Sequence, residues 1–133
     1  MEEARLSTPN PVFVSVASPT SLDAHDAAKM LLVIQAADAV ACAIPLAVIR
    51  RDLDRLGCPP GLQRAIPVVK AASVAGLVAG LREARLGRLT TTALLGYFAC
   101  AVAAHARVRD PAWRYAAATG MGALVLASRR SYR

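Results

Sequence analysis

Apolar positions along the chain gather into four runs, at about residues 30–49, 65–81, 87–104 and 112–128, and most charged residues fall in the amino-terminal tail, in the short segments between the runs or at the carboxyl terminus. About 20 apolar residues span a ~30 Å hydrocarbon core as a helix, so the first run has full length and the other three are shorter. Arg50 and Arg51 close the first run, Arg82 the second, and Arg129 and Arg130 the fourth. A soluble bundle needs a polar stripe at helical period on each helix, and Ala93 to Ala104 and Ala116 to Ala127 carry none. The pattern therefore predicts an all-α integral membrane protein. Short connections make consecutive helices antiparallel neighbours, giving an up-down-up-down four-helix bundle over residues 27–130.

The segment ahead of the first run is different in kind. Pro9, Pro11 and Pro19 stand among several Ser and Thr, which predicts an extramembrane tail over residues 1–26. Its acidic start lacks the basic and then apolar regions of a cleaved signal peptide, so the tail is expected to be retained. Thr20 and Asp23 have capping-box spacing, placing the start of the first helix there, with an overhang beyond the bilayer.

Composition agrees with the membrane reading. Of 133 residues, 56% are hydrophobic and 19% charged, on the apolar side of soluble proteins. The net charge of +7 does not point to nucleic acid, because the basic residues flank apolar runs instead of forming a face with base-reading groups. Flanking cations suit lipid headgroups. Cys42, Cys58 and Cys100 form no CxxC pair, so neither a disulfide framework nor a metal site is outlined.

Small residues suggest how the helices pack. Ala72, Gly76 and Gly80 recur at every fourth position of the second helix, and Thr92, Gly96, Cys100 and Ala104 do so in the third. Such rows permit close backbone approach in lipid, either within the chain or in a homo-oligomer. Trp113, Tyr115 and Tyr132 are placed as an interfacial aromatic belt. The amino-terminal tail, the 82–88 loop and the carboxyl terminus share one side, face A, and the other two loops share face B. Basic residues divide almost evenly between the faces, so orientation stays open.

Ionisable groups inside spans are the first functional candidates. Counted from Ile49, Asp38 lies about 16 Å in from face B, whereas Lys70, counted from Ala65, lies about 7 Å in. The mismatch of about 9 Å favours a lysine that snorkels to face B and an aspartate near the midplane, two separate environments. If the second helix begins near Leu62 the mismatch shrinks and an ion pair becomes the alternative. Lys70, His105, Arg107 and Cys58 then converge toward a shallow face B pocket able to hold an anionic or quinone-like headgroup. The plainer alternative makes His105 and the arginines headgroup anchors and Cys58 an ordinary loop thiol. A nucleophilic Cys58 served by His105 and Asp110 would need contact across two loops.

Several of these residues carry a resemblance. Leu56-Gly57-Cys58-Pro59, Pro67-Val68-Val69-Lys70, Gly76-Leu77, Ala93-Leu94 with Tyr97-Phe98, and His105 through Pro111 look like the DoxX-like family, over about residues 28–130. The resemblance implies a small bacterial inner-membrane protein, from a family linked to quinone-dependent thiosulfate oxidation and to membrane-associated oxidoreductase complexes. The recurrent polar positions of the family would map onto Lys70, His105 and Arg107. With no complete catalytic set in view, the expectation is a non-catalytic subunit or adaptor of a membrane redox or stress-response complex, in contact with the lipid bilayer. A quinone-linked oxidoreductase subunit and a small transporter or lipid-binding protein are the alternatives.

Overall fold

The computed structural model describes residues 23–44 and 46–133, and all the secondary structure within them is helical. The elements are α1 (Ala24–Ala43), α2 (Ala47–Arg55), α3 (Pro60–Gly80), α4 (Ala84–Arg107) and α5 (Ala112–Ser128), followed by a 3-10 turn (Arg129–Tyr132). The tail lies outside the described residues up to residue 22, as does the capping role expected of Thr20. Asp23 occupies the N-cap of α1 without a side-chain cap bond.

The first apolar run is not one helix. The axes of α1 and α2 differ by 91°, where a straight helix to Ile49 was expected. The chemistry at the boundary accounts for this: proline at position 45 cannot donate to a helical ladder and disfavours helix in the residue before it. Ile44, accordingly, is extended. Beyond the break α2 is amphipathic, with Ile49 and Leu53 partly covered and Arg50, Arg51 and Arg55 exposed.

The four long helices form a closed circuit, α1 packing on α3 and α5, and α4 packing on α3 and α5. Ala27, Ala28, Leu31, Leu77, Leu94, Phe98, Leu124 and Val125 fill the centre, joined by Tyr132. Tyr132 thus departs from its expected place in an interfacial belt. It is 2% exposed, and its ring lies against Gly87 and Gly80, where any Cβ would collide with it. Trp113 does stand outside, 70% exposed, with the Arg114 guanidinium 4.8 Å from its ring centroid.

Of the small-residue positions, Gly76 and Gly80 lie at the α3–α4 contact. A Cβ on Gly76 would overlap Thr90, and one on Gly80 would come within 2.5 Å of Gly87 Cα. Gly96 has open space around it, and its neighbours in the row, Thr92 and Cys100, are exposed.

Two helices, α3 and α4, are long and apolar enough to cross a membrane, and the bent α1–α2 pair adds a third only if its two helices count as one span. The fourth expected span, α5, has 17 residues and measures about 25 Å, a little short of the hydrocarbon thickness. Large apolar side chains stay exposed along the long helices, while several polar ones are buried beside the apolar core. Val33, Val40, Val68, Val78, Leu89 and Leu126 face outward, while Gln35, Lys70, Ser73, Thr91, His105 and Ser128 are buried.

Candidate functional site

Two polar clusters form, one between helices and one on face B. The first joins α1 to α3. Gln35 Nε2 donates to Ser73 Oγ at 2.8 Å. Three residues further along α1 and three back along α3, Asp38 and Lys70 form an ion pair, the step expected of antiparallel helices. Lys70 therefore does not snorkel alone, and the two environments expected for Asp38 and Lys70 are one. The reason is where α3 begins: it starts at Pro60, ahead of the Ala65 that set the depth of Lys70, and an earlier start of this helix is the condition under which the ion pair became the alternative.

Side chains around the pair complete the cluster. Cys42 Sγ donates to Asp38 Oδ1 at 3.7 Å, and Lys70 Nζ lies 5.2 Å from the centroid of the Tyr97 ring on α4. Ser73 Oγ returns its hydrogen to the Lys70 carbonyl at 2.7 Å. Lys70 is buried, whereas the Asp38 side chain is 38% exposed, so the carboxylate is the open end of the pair. Gln35 is wholly buried, and its Oε1 has no hydrogen-bond partner among the described residues. A buried carbonyl oxygen left in this state is costly, which marks the inner end of the cluster as short of one donor.

The second cluster is made by two helix ends of the same design. At the end of α2, Gly57 has φ +69°, Gly57 N–H donates to the Asp54 carbonyl and Cys58 N–H to the Leu53 carbonyl. At the end of α4, Arg109 has φ +55°, Arg109 N–H donates to the Ala106 carbonyl and Asp110 N–H to the His105 carbonyl. Both are Schellman closures. The second folds Asp110 back over the helix end, placing its Oδ2 2.7 Å from His105 Nδ1. An ionised carboxylate only accepts, so Nδ1 carries the hydrogen.

Asp110 also pairs with Arg55 of α2, which holds Asp52 as well, and Asp52 reaches Arg114 of α5. Arg107 Nη2 donates to the Leu56 carbonyl at 2.9 Å. Asp110 is the hub, with its side chain only 6% exposed. The His105 hydrogen bond, followed by the Arg55 guanidinium, holds its carboxyl below the usual carboxylate range against the opposing effect of burial.

Cys58 sits in the same region without joining the chemistry. Its sulfur touches only the Pro59 carbonyl, at 3.9 Å, and burial, then the Asp54 carboxylate, pushes the thiol up, away from the nucleophilic thiolate form. Thus His105, Arg107 and the Cys58 loop do meet on face B, but Lys70 belongs to the other cluster. Of the acids that tie α2 to α4 and α5, Asp52 was missed by sequence reasoning, and Asp110 was considered only as a third group behind Cys58 and His105. Among the described residues no group of three His, Cys, Asp or Glu side chains could hold a metal ion.

An all-helical chain with polar groups turned inward and apolar helices outward defines the class of protein. Within that class residues 27–128 match the DoxX-like family model, and the chain belongs to the DoxX-like family. None of the curated proteins and none of the solved structures matches it.

Proposed function

We propose that this chain is a multi-pass protein of the bacterial cytoplasmic membrane, in which α1, α3, α4 and α5 cross the bilayer up-down-up-down and α2 lies along face B. Its role in this proposal is that of a non-catalytic subunit or adaptor in a membrane redox or stress-response complex. The observation that carries the reading is the exposure of large apolar side chains along the helices, while Gln35, Lys70, Ser73, Thr91, His105 and Ser128 are buried beside the apolar core. Such a surface suits lipid or another membrane subunit.

The adaptor role is supported by how the inward polar groups are used. Lys70 is held by Asp38, Gln35 by Ser73, and His105 by Asp110, so they act as structural ties. The exposed row of Thr92, Gly96 and Cys100 is a surface on which a partner helix could sit closely. Gentle extraction from native membranes is expected to recover the chain with a membrane partner. Gly96→Leu, which meets nothing inside the chain, is expected to lose that partner without loss of thermal stability. A wild-type chain that purifies alone would count against the adaptor role.

One observation favours a second reading, a quinone-linked subunit. A cavity of about 270 Å³ lies between α3 and α4, with Ser73, Thr90 and Tyr97 among its lining residues, and Lys70 stands over the Tyr97 ring. Under that reading Lys70→Met abolishes quinone-dependent turnover, and unchanged turnover would remove it.

A further inference from the structure

The break between α1 and α2 leaves a cavity of about 500 Å³ on face B, a volume typical of ligand sites. Its walls are mainly apolar: Ile44 and Leu46 from the break, Ile49 and Leu53 from α2, and Pro60 and Pro67 from α3. Two cations line it as well, Arg50 from α2 and Arg64 from α3. Apolar walls with a pair of guanidinium groups match neither a small inorganic anion nor an uncharged hydrocarbon. They match an amphiphile with a negative head.

The state of the arginines around face B sharpens this. Arg55 and Arg114 are taken by carboxylates and Arg107 by a carbonyl. Arg50 and Arg64, among the described residues, have no carboxylate within ion-pair distance, and Arg64 donates only through its Nε, to the Pro60 carbonyl at 3.3 Å. Of the acids on α2, Asp52 is held by Arg55 and Arg114, and Asp54 accepts from Gln63 Nε2 at 2.8 Å. Two of the face B cations without acid partners, Arg50 on α2 and Arg64 on α3, thus line the same apolar cavity, and the amphipathic character of α2 suits the membrane interface.

We infer that this cavity binds one anionic phospholipid of the face B leaflet, with its phosphate between Arg50 and Arg64 and an acyl chain along Ile44, Leu46, Ile49 and Leu53. Arginine suits the phosphate because its planar fork can donate two hydrogen bonds at once. The inference rests on the membrane reading above. Cys42 also lines the cavity and touches Asp38, so a bound chain lies beside the Asp38–Lys70 pair and shields the thiol.

Native mass spectrometry of the full chain, released from detergent with phosphatidylglycerol or phosphatidylcholine of matched chains, tests this. Wild type is expected to retain one phosphatidylglycerol in preference to phosphatidylcholine by roughly tenfold, the worth of a charge-assisted contact. Arg50→Gln with Arg64→Gln is expected to erase the preference, and Arg82→Gln with Arg85→Gln on face A to keep it. In a Cys58→Ser, Cys100→Ser background, phosphatidylglycerol is expected to slow N-ethylmaleimide labelling of Cys42, and glycerol phosphate to leave it unchanged. Equal retention by wild type and the face B variant would overturn the inference, as would slowing by glycerol phosphate alone, which would mean a site for free phosphate. If the chain is instead removed from membranes by alkaline carbonate washing, the membrane reading itself falls. Retention after washing with no lipid preference sinks the lipid site alone.

Discussion

Asp38 and Lys70 stand at one level of two antiparallel helices and form an ion pair, with the lysine buried and the carboxylate partly open. That asymmetry predicts unequal mutants. Asp38→Asn strands a buried ammonium and is expected to cost about 3 kcal/mol, the usual cost of breaking a buried pair. Lys70→Met leaves a carboxylate that is already 38% exposed, and should cost less. Asp38→Leu with Lys70→Met should fall within about 1 kcal/mol of wild type, since an apolar pair replaces a buried ionic one at little cost. Thermal unfolding in detergent across this double-mutant cycle reads the coupling. Additive effects would show that the pair does not couple.

The glycines separate inward from outward positions. At Gly80 the nearest obstacle is the Gly87 backbone, 2.5 Å from a built Cβ, and backbone cannot swing aside. Gly80→Ala is therefore expected to cost about 1–3 kcal/mol through overpacking. At Gly76 the obstacle is the Thr90 side chain, which can rotate, so Gly76→Ala should cost less. Gly96→Ala, with nothing within 4 Å, should be neutral or gain up to about 1 kcal/mol from lower backbone entropy in the unfolded chain. Midpoints of thermal unfolding for the three variants give the order directly.

Face B should be acid-sensitive, and the sign follows from Asp110. Its carboxyl is held low in the folded chain, first by His105 and then by Arg55. A depressed folded value means stability that is complete above the unfolded carboxylate range, about pH 5, and is lost as pH falls below about 4. Unfolding temperatures of wild type should fall across that window. Asp110→Asn should start lower at neutral pH and show a shallower fall. Parallel curves for the two proteins would mean that Asp110 does not carry the acid response.

Much of this was legible in the chain, and the exceptions have physical reasons. The runs at 65–81, 87–104 and 112–128 lie almost wholly within α3, α4 and α5, because uncharged apolar stretches leave few other choices. The first run misled because Ile44-Pro45-Leu46 is apolar, so hydropathy carries through a point where backbone chemistry ends the helix. Asp38 and Lys70 were set apart by a different boundary, since Lys70 was counted from Ala65 and α3 begins at Pro60. Signals for α2 were present: Ile49 and Leu53 at helical spacing among charges, then Gly57 at the closing position and Pro59 two residues on. The link from His105 to Asp110 depends on Arg109 in the left-handed region, which residue type does not announce. The burial of Tyr132 depends on Gly80 and Gly87 facing each other across two helices, a tertiary fact.

The central claim is that the four long helices cross the membrane in alternation, with the α2–α3 and α4–α5 turns on face B and the α3–α4 turn and carboxyl end on face A. Single-cysteine variants tested with a membrane-impermeant maleimide, in intact and then permeabilised cells, measure it. The set is native Cys58, Arg109→Cys, Arg82→Cys and Arg133→Cys, each with the other cysteines replaced by serine. Cys58 and Arg109→Cys are expected to label together from one side, and Arg82→Cys and Arg133→Cys together from the other. Labelling of Cys58 and Arg82→Cys from the same side would contradict the crossing of α3, and with it the whole arrangement.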